Sequence, residues 1–317
     1  MQRQFRLGGG VSPRNTRLRG QSIIEYVLII AVIGLVIVFA GPGVAGAIRN
    51  QFNQVSTTLG NGTDGDNFIS AEEKAYREAM KTITAKEAKD WTLNEQKAAA
   101  TDIAKNGTSS VVYAKAKAAM DAGTTWSLKL ANGKTLTYRI IGINHDDLAD
   151  GSGKAGLTFE ATNNALGSQR MNAPSTTATS TTVGGWEKSE LRGRLNSGDL
   201  WSLLPAEVQS KAKAVTKMTD NQGGGKVGTP SATTDKVFLL STTEVYGDLN
   251  SDGTQYEHYK SRGVTKSKYS GASSGFDHWS RSVEPSNSTN FYYVDRYGID
   301  RGSAAKFTEY VYPAFCF

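Results

Sequence analysis

Trp126-Ser-Leu-Lys-Leu130, Asn132-Gly133 and Thr135-Leu-Thr-Tyr-Arg-Ile-Ile-Gly-Ile143 decide how the chain divides. The two apolar runs alternate with the period of a strand, and Asn-Gly between them is the strongest short hairpin signal. A β-containing domain therefore begins near residue 124. Upstream, residues 71–122 are rich in Ala, Lys and Glu, with helical periodicity. Helices are expected near 71–82, 92–105 and 108–122, punctuated by Gly107 and Gly123. Ser70-Ala-Glu-Glu73 reads as a capping box opening the first of them. Asp64, Asp66 and Glu73 also resemble part of an EF-hand loop. Gly62 and Asn67 then fail two demanding positions, so a polar linker (59–67) and helix cap is preferred.

Downstream, short strands alternate with Ser/Thr/Gly/Asn-rich loops. Trp186 to Leu195 reads as a helix, with helical stretches at 201–204 and 205–213. Lys236 to Leu240, Phe291 to Val294 and Tyr310 to Tyr312 read as strands.

The N-terminus has a different character. Residues 1–20 carry five arginines and no acid; without them the chain has 31 basic and 30 acidic residues, a net of +1. The basicity thus belongs to a leader and gives no argument for nucleic-acid binding, which needs a basic face on the folded domain. Ile23 to Ala40 is apolar except for Glu25 and Tyr26, and as a helix would span about 27 Å. A secretory signal cleaved within Gly41 to Ala47 is one reading, and a plain signal anchor another. Glu25 opposes both, because a carboxylate in an apolar run is costly and usually functional.

Arg19-Gly20-Gln21-Ser22-Ile23-Ile24-Glu25-Tyr26 resembles the processing site of class III (type IV) prepilins, most closely the Flp-type. The resemblance implies cleavage between Gly20 and Gln21 by a prepilin peptidase. It also implies an assembly role for Glu25 and Tyr26, with Glu25 facing the N-terminal ammonium of a neighbouring subunit. The expected partners are other pilin subunits, the peptidase, the cytoplasmic membrane before assembly and an extracellular protein or glycan. The expected location is the bacterial surface.

Residues 138–146, 150–159, 184–192, 233–241, 279–282 and 313–315 resemble the bacterial domain of unknown function DUF6273, over most of 125–317. That resemblance implies a C-type-lectin-like or formylglycine-generating-enzyme-like arrangement. The resulting expectation is an α+β chain: leader 1–20, long hydrophobic pilin helix 21–58, linker and helical spacer 59–123, and loop-rich lectin-like domain 124–317. Its function would be to display an adhesin-like head as a minor or tip subunit. The alternatives are a tethered binding module that does not polymerise, or a secreted enzyme.

No catalytic site is read. His145, His258 and His278 lie far apart, and His145-Asp146-Asp147 reads as a capped turn rather than a metal site. Cys316 lies between Phe315 and Phe317, as a small buried hydrophobe. One cysteine cannot supply the pair that formylglycine-generating chemistry uses. Asp248, Asn250 and Asp252 have the DxNxDG spacing of a calcium loop; an Asp-Gly turn is preferred, and no other cofactor is expected.

The ligand face is placed at 276–301. Asp277, His278, Ser280, Asn287, Asn290, Tyr292, Tyr293, Asp295, Tyr297 and Asp300 are residue types that build adaptable recognition surfaces. Their enrichment is also similar to that in lectin-like proteins diversified by a retroelement that mutates adenines. The competing reading is a structural strand pair with polar outward positions.

Overall fold

Three helices open the described part of the chain, and their alanines determine how they pack. In a computed structural model, residues 70–174, 182–247 and 252–317 are described. Ser70 Oγ accepts from the Glu73 amide (3.1 Å) and starts α1 (Ala71–Ile83). A reciprocal Thr92–Glu95 box starts α2 (Leu93–Asn106), and α3 (Tyr113–Ala122) ends at Gly123, which has positive φ. The third helix starts later than expected because residues 107–109 form a 3₁₀ turn.

α2 buries Ala98, Ala99, Ala100 and Ile103; α3 buries Ala116, Ala119 and Met120. Small side chains allow close approach: a Cβ on Gly156 would lie 1.8 Å from the Ala100 carbonyl oxygen. The Tyr138 hydroxyl donates to Gln96 Oε1 (3.0 Å), and Trp126 Nε1 donates to the Ala88 carbonyl (3.1 Å). These contacts fasten the helices to the sheet that follows, so residues 71–122 are not a free-standing spacer.

The expected hairpin is present. β1 (Thr125–Lys129) pairs antiparallel with β2 (Thr135–Ile143), Trp126 opposite Tyr138, around Gly133 at φ +80°. The sheet runs β1-β2-β3-β12-β7, with β3 at Leu157–Ala161, β7 at Val237–Phe238 and β12 at Ala314–Cys316. The late strand β12 thus lies between β3 and β7. Tyr138, Phe159, Phe315 and Phe317 stack and tilt on one another at 5.3–5.5 Å between ring centres, beside Trp126.

Short helices α4 (Gly185–Lys188), α5 (Glu190–Asn196), α6 (Asp199–Leu203) and α7 (Ala206–Lys211) follow. The helix expected over 186–195 is broken at Ser189, which is extended and caps the second half. β5 (Val215–Thr219) and β6 (Ser231–Asp235) form a separate hairpin, and α8 (Thr242–Tyr246) and α9 (Glu257–Ser261) come next. The second large sheet runs β10-β9-β8-β11-β4. It comprises β4 (Ser168–Arg170), β8 (His278–Val283), β9 (Asn290–Val294), β10 (Asp300–Ala304) and β11 (Thr308–Tyr310).

The fold expected from the sequence is therefore corrected. Residues 66–317 form one compact unit of mixed helices and sheets, β-rich toward the C-terminus, rather than a spacer leading to a lectin-like head. Among the described residues no helix is long and apolar enough to cross a membrane. The pilin helix at 21–58, with Gly20, Gln21, Glu25 and Tyr26, lies outside the described residues.

Candidate ligand-binding face

β8, His278-Trp-Ser-Arg-Ser-Val283, is polar in sequence and buried along its whole length. Arg281 explains how. Its Nε donates to Thr219 Oγ1 (2.7 Å), Nη1 to the Leu239 carbonyl (2.8 Å), and Nη2 to the Met218 (3.0 Å) and Asp252 (3.1 Å) carbonyls. Both terminal nitrogens also pair with the Glu244 carboxylate. A buried guanidinium with its donors answered can be held; one left unanswered would be expelled.

Glu244 extends the cluster. Its Oε1 lies 2.5 Å from Lys217 Nζ, which is also 2.6 Å from Asp146 Oδ1. Tyr256 donates to both Asp146 oxygens (2.9 Å each), and Thr158 donates to Oδ2 (2.6 Å). Burial disfavours charge on Asp146, yet the Lys217 ammonium holds its carboxyl well below the usual carboxylate range. Burial likewise opposes the charge of Glu244, and Arg281 and Lys217 outweigh it. Asp252 sits beyond, accepting from the hydroxyls of Thr243 (2.5 Å) and Ser282 (2.6 Å).

Sequence reasoning missed Lys217, Glu244 and Arg281. A signal existed for the lysine: in Val215-Thr-Lys-Met-Thr219 the period of two puts residue 217 on the inward side with Val215 and Thr219.

The residues expected to bind ligand divide. His278, Ser280 and Asp295 are buried. Their inclusion in an exposed face is corrected: they hold the frame. Asp295 accepts from the Tyr297 and Ile299 amides (2.9 Å each) and from Arg301 Nε (2.7 Å), closing the β9–β10 hairpin. Asn287 accepts from Thr289 N and Oγ1 (2.9 Å each) in the β8–β9 turn, and Asn290 Nδ2 donates to Glu284 (2.9 Å). Asp277 accepts from the Arg296 amide (2.8 Å), tying the start of β8 to the hairpin.

Tyr292 and Tyr293 are half-buried neighbours on one strand and so point to opposite faces. Tyr292 lies under Lys266 (5.7 Å), which pairs with Asp300 (3.1 Å). Tyr293 is opposite Trp279 and Arg301 in register.

Exposed large aromatics concentrate here. Among the described residues Phe276 (44% exposed), Tyr297 (67%) and Phe307 (57%) are the exposed aromatic side chains of that size, and all three lie on connections of this sheet. Phe276 meets Tyr310 edge to face (5.3 Å). The Asp277–Arg296 link places Phe276 and Tyr297 at one end of the sheet, Tyr297 with most of its ring in water and Phe276 with somewhat less than half. Such aromatics supply large contact area at low entropic cost.

A cavity of about 40 Å³ lies behind this sheet, lined by Arg139, Glu160, Tyr259, Ser274, His278 and Tyr312 among others. That volume suits a few waters, not a sugar ring.

Of the calcium candidates, Asp248 and Asn250 lie outside the described residues, and the Asp252 carboxylate is engaged by the two hydroxyls above. Among the described residues no three His, Cys, Asp or Glu side chains group as a metal site. Asp64 and Asp66 lie outside the described residues, and Glu73 pairs with Arg77 (2.9 Å). Cys316 is fully buried, with burial and then Asp146 pushing its thiol pKa far up, so it is not a poised nucleophile. His145 contacts Glu257 (3.2 Å), Thr254 (3.2 Å) and the Tyr256 ring (4.0 Å) as a structural partner.

No curated protein and no solved structure matches the chain. One family model does, and its span takes in both the aromatic rim and the buried cluster apart from Asp146 and Thr158: a domain of unknown function, DUF6273, covers residues 162–317.

Proposed function

We propose that this chain is a bacterial surface protein, made with a prepilin-type leader, that presents the unit 66–317 as an adhesin-like binding head. The observation that carries the binding half is the concentration of exposed aromatics on one sheet: Phe276 and Tyr297 at one end, Phe307 on the turn at the other. Large rigid aromatic side chains are the residue type that most often anchors a recognition surface. The ligand class is an extracellular protein or glycan larger than the interior cavity admits. Asp277, Asn287, Asn290, Tyr292, Tyr293 and Asp300, which lie on the strands and connections of the same sheet, would supply the polar component.

The carrier half rests on Arg19 to Tyr26 and the apolar run after it. In this reading prepilin peptidase cleaves after Gly20, and Glu25 with Tyr26 joins the subunit to other pilin subunits. The size of the unit 66–317 favours a minor or tip position. The same size favours a second reading, a membrane-tethered binding module that does not polymerise.

N-terminal sequencing of the mature protein should begin at Gln21, and Glu25→Ala should be exported yet absent from purified filaments. A start near residue 47 would replace prepilin processing with an ordinary secretory signal. An exported protein starting at Gln21 and never found in filaments would select the tethered module.

A further inference from the structure

The buried cluster contains a lysine, an aspartate and a glutamate within bonding distance of one another and closed off from water. Lys217 is 3% exposed, Glu244 1% and Asp146 4%. Lys217 Nζ lies 2.6 Å from Asp146 Oδ1 and 2.5 Å from Glu244 Oε1. It also sits 4.4 Å from the Phe238 ring centre and 5.3 Å from that of Tyr256. A buried ion pair repays its desolvation poorly, and replacing it with a neutral group is often stabilising. Condensation removes one charge of each sign at once and leaves Glu244 with its partner Arg281.

We infer that Lys217 and Asp146 join through an intramolecular isopeptide bond, formed by the folded protein itself with Glu244 as the proton acceptor. Glu244 takes one proton from the ammonium and passes it to an Asp146 carboxylate oxygen, which neutralises the pair, and the freed amine attacks Cγ of the resulting neutral acid. At this N–O separation the carbon lies near the ~3–3.5 Å reach of a near-attack pair. Tyr256 and Thr158 donate to the carboxylate oxygens and stabilise the charge that grows there. The new bond is Nζ–Cγ, and the bond broken joins Cγ to one carboxylate oxygen. Of the three ammonium protons, one stays on the amide nitrogen and two leave with that oxygen as water. Glu244 then carries a second proton from the nitrogen to the departing hydroxyl, which leaves as water, and ends ionised against Arg281. No oxidant, metal or cofactor enters.

The bond would tie the end of β2 to β5 across 71 residues. It would close a long loop, which removes entropy from the unfolded chain. This inference is independent of the ligand and of any assembly.

Peptide mapping of the purified full-length protein, digested after denaturation, tests it. The expected result is a branched peptide joining the segments of Asp146 and Lys217, lighter by about 18 Da, one water, than the two separately. Cleavage after Lys217 should be lost. In Lys217→Met the segment of Asp146 should appear only as a linear peptide of full mass, and in Glu244→Gln both segments should. Two linear peptides from folded wild-type protein, with Lys217 cleaved, would overturn the inference whatever the variants do. A branched peptide at full yield in Glu244→Gln would remove Glu244 from the reaction.

Discussion

β8 and β9 are neighbours in one sheet, yet they treat polar residues in opposite ways. β8 buries all six of its side chains, including His278, Ser280, Arg281 and Ser282, whereas β9 keeps Asn290, Tyr292 and Tyr293 half-buried. Composition does not separate them, since both are polar and aromatic. What separates them is whether a complementary group waits inside. Arg281 meets Glu244 and three carbonyls, while Tyr292 meets one lysine at the surface. Burial of a polar group follows its partners more than its type.

The largest expected effect lies on β8. Arg281→Ala leaves Glu244 buried with one cation fewer and should cost about 3–5 kcal/mol. Urea unfolding reads this as a lower midpoint, with Arg281→Lys recovering part. A change under 1 kcal/mol would mean that water enters the cluster and that the two strands differ less than described.

A smaller effect is expected from pH. Burial, then Arg139 and Arg262, lowers the His258 pKa from 6.5 to about 3, and Arg262 donates to its Nδ1 (2.9 Å). Above pH 6.5 the ring is neutral in both folded and unfolded chains. As pH falls below that, the unfolded chain gains a proton that the folded one refuses, so stability is lost toward pH 3. Buried His278 acts in the same direction, and His145, whose pKa is raised despite burial by Glu257 and Asp146, acts against it. Melting temperature should fall between pH 7 and pH 4, less steeply in His258→Gln. An equal slope in the variant would place the acid sensitivity elsewhere.

Much of the first sheet was legible in the sequence, because its signals are local. The Trp126–Ile143 hairpin needs only alternation and Asn-Gly, and the cap at Ser70 needs four residues. β12 was not legible as a central strand. It is three residues long, and its place between β3 and β7 depends on partners far away in sequence. The helices at 71–122 were found, but their docking was not. It rests on single long-range contacts such as Gly156 against Ala100.

The candidate face was half legible. Residue type pointed to a sheet that carries exposed aromatics, while the burial of His278, Ser280 and Asp295 is set by tertiary packing and, for Asp295, by the hairpin turn whose amides it accepts. That cluster was invisible as a unit, because Asp146, Lys217, Glu244 and Arg281 come from four separate elements or loops.

The smallest expected effect on stability accompanies the largest on function. Phe276→Ala combined with Tyr297→Ala touches two exposed rings, of which only Phe276 makes an aromatic contact among the described residues, with Tyr310, so unfolding free energy should stay within about 1 kcal/mol of wild type. Binding to a panel of immobilised glycans and extracellular proteins, measured on the same preparation, should be lost at every position where wild type binds. Undiminished binding by this stable double variant would contradict the claim that the exposed end of the β8–β9–β10 sheet is the recognition surface.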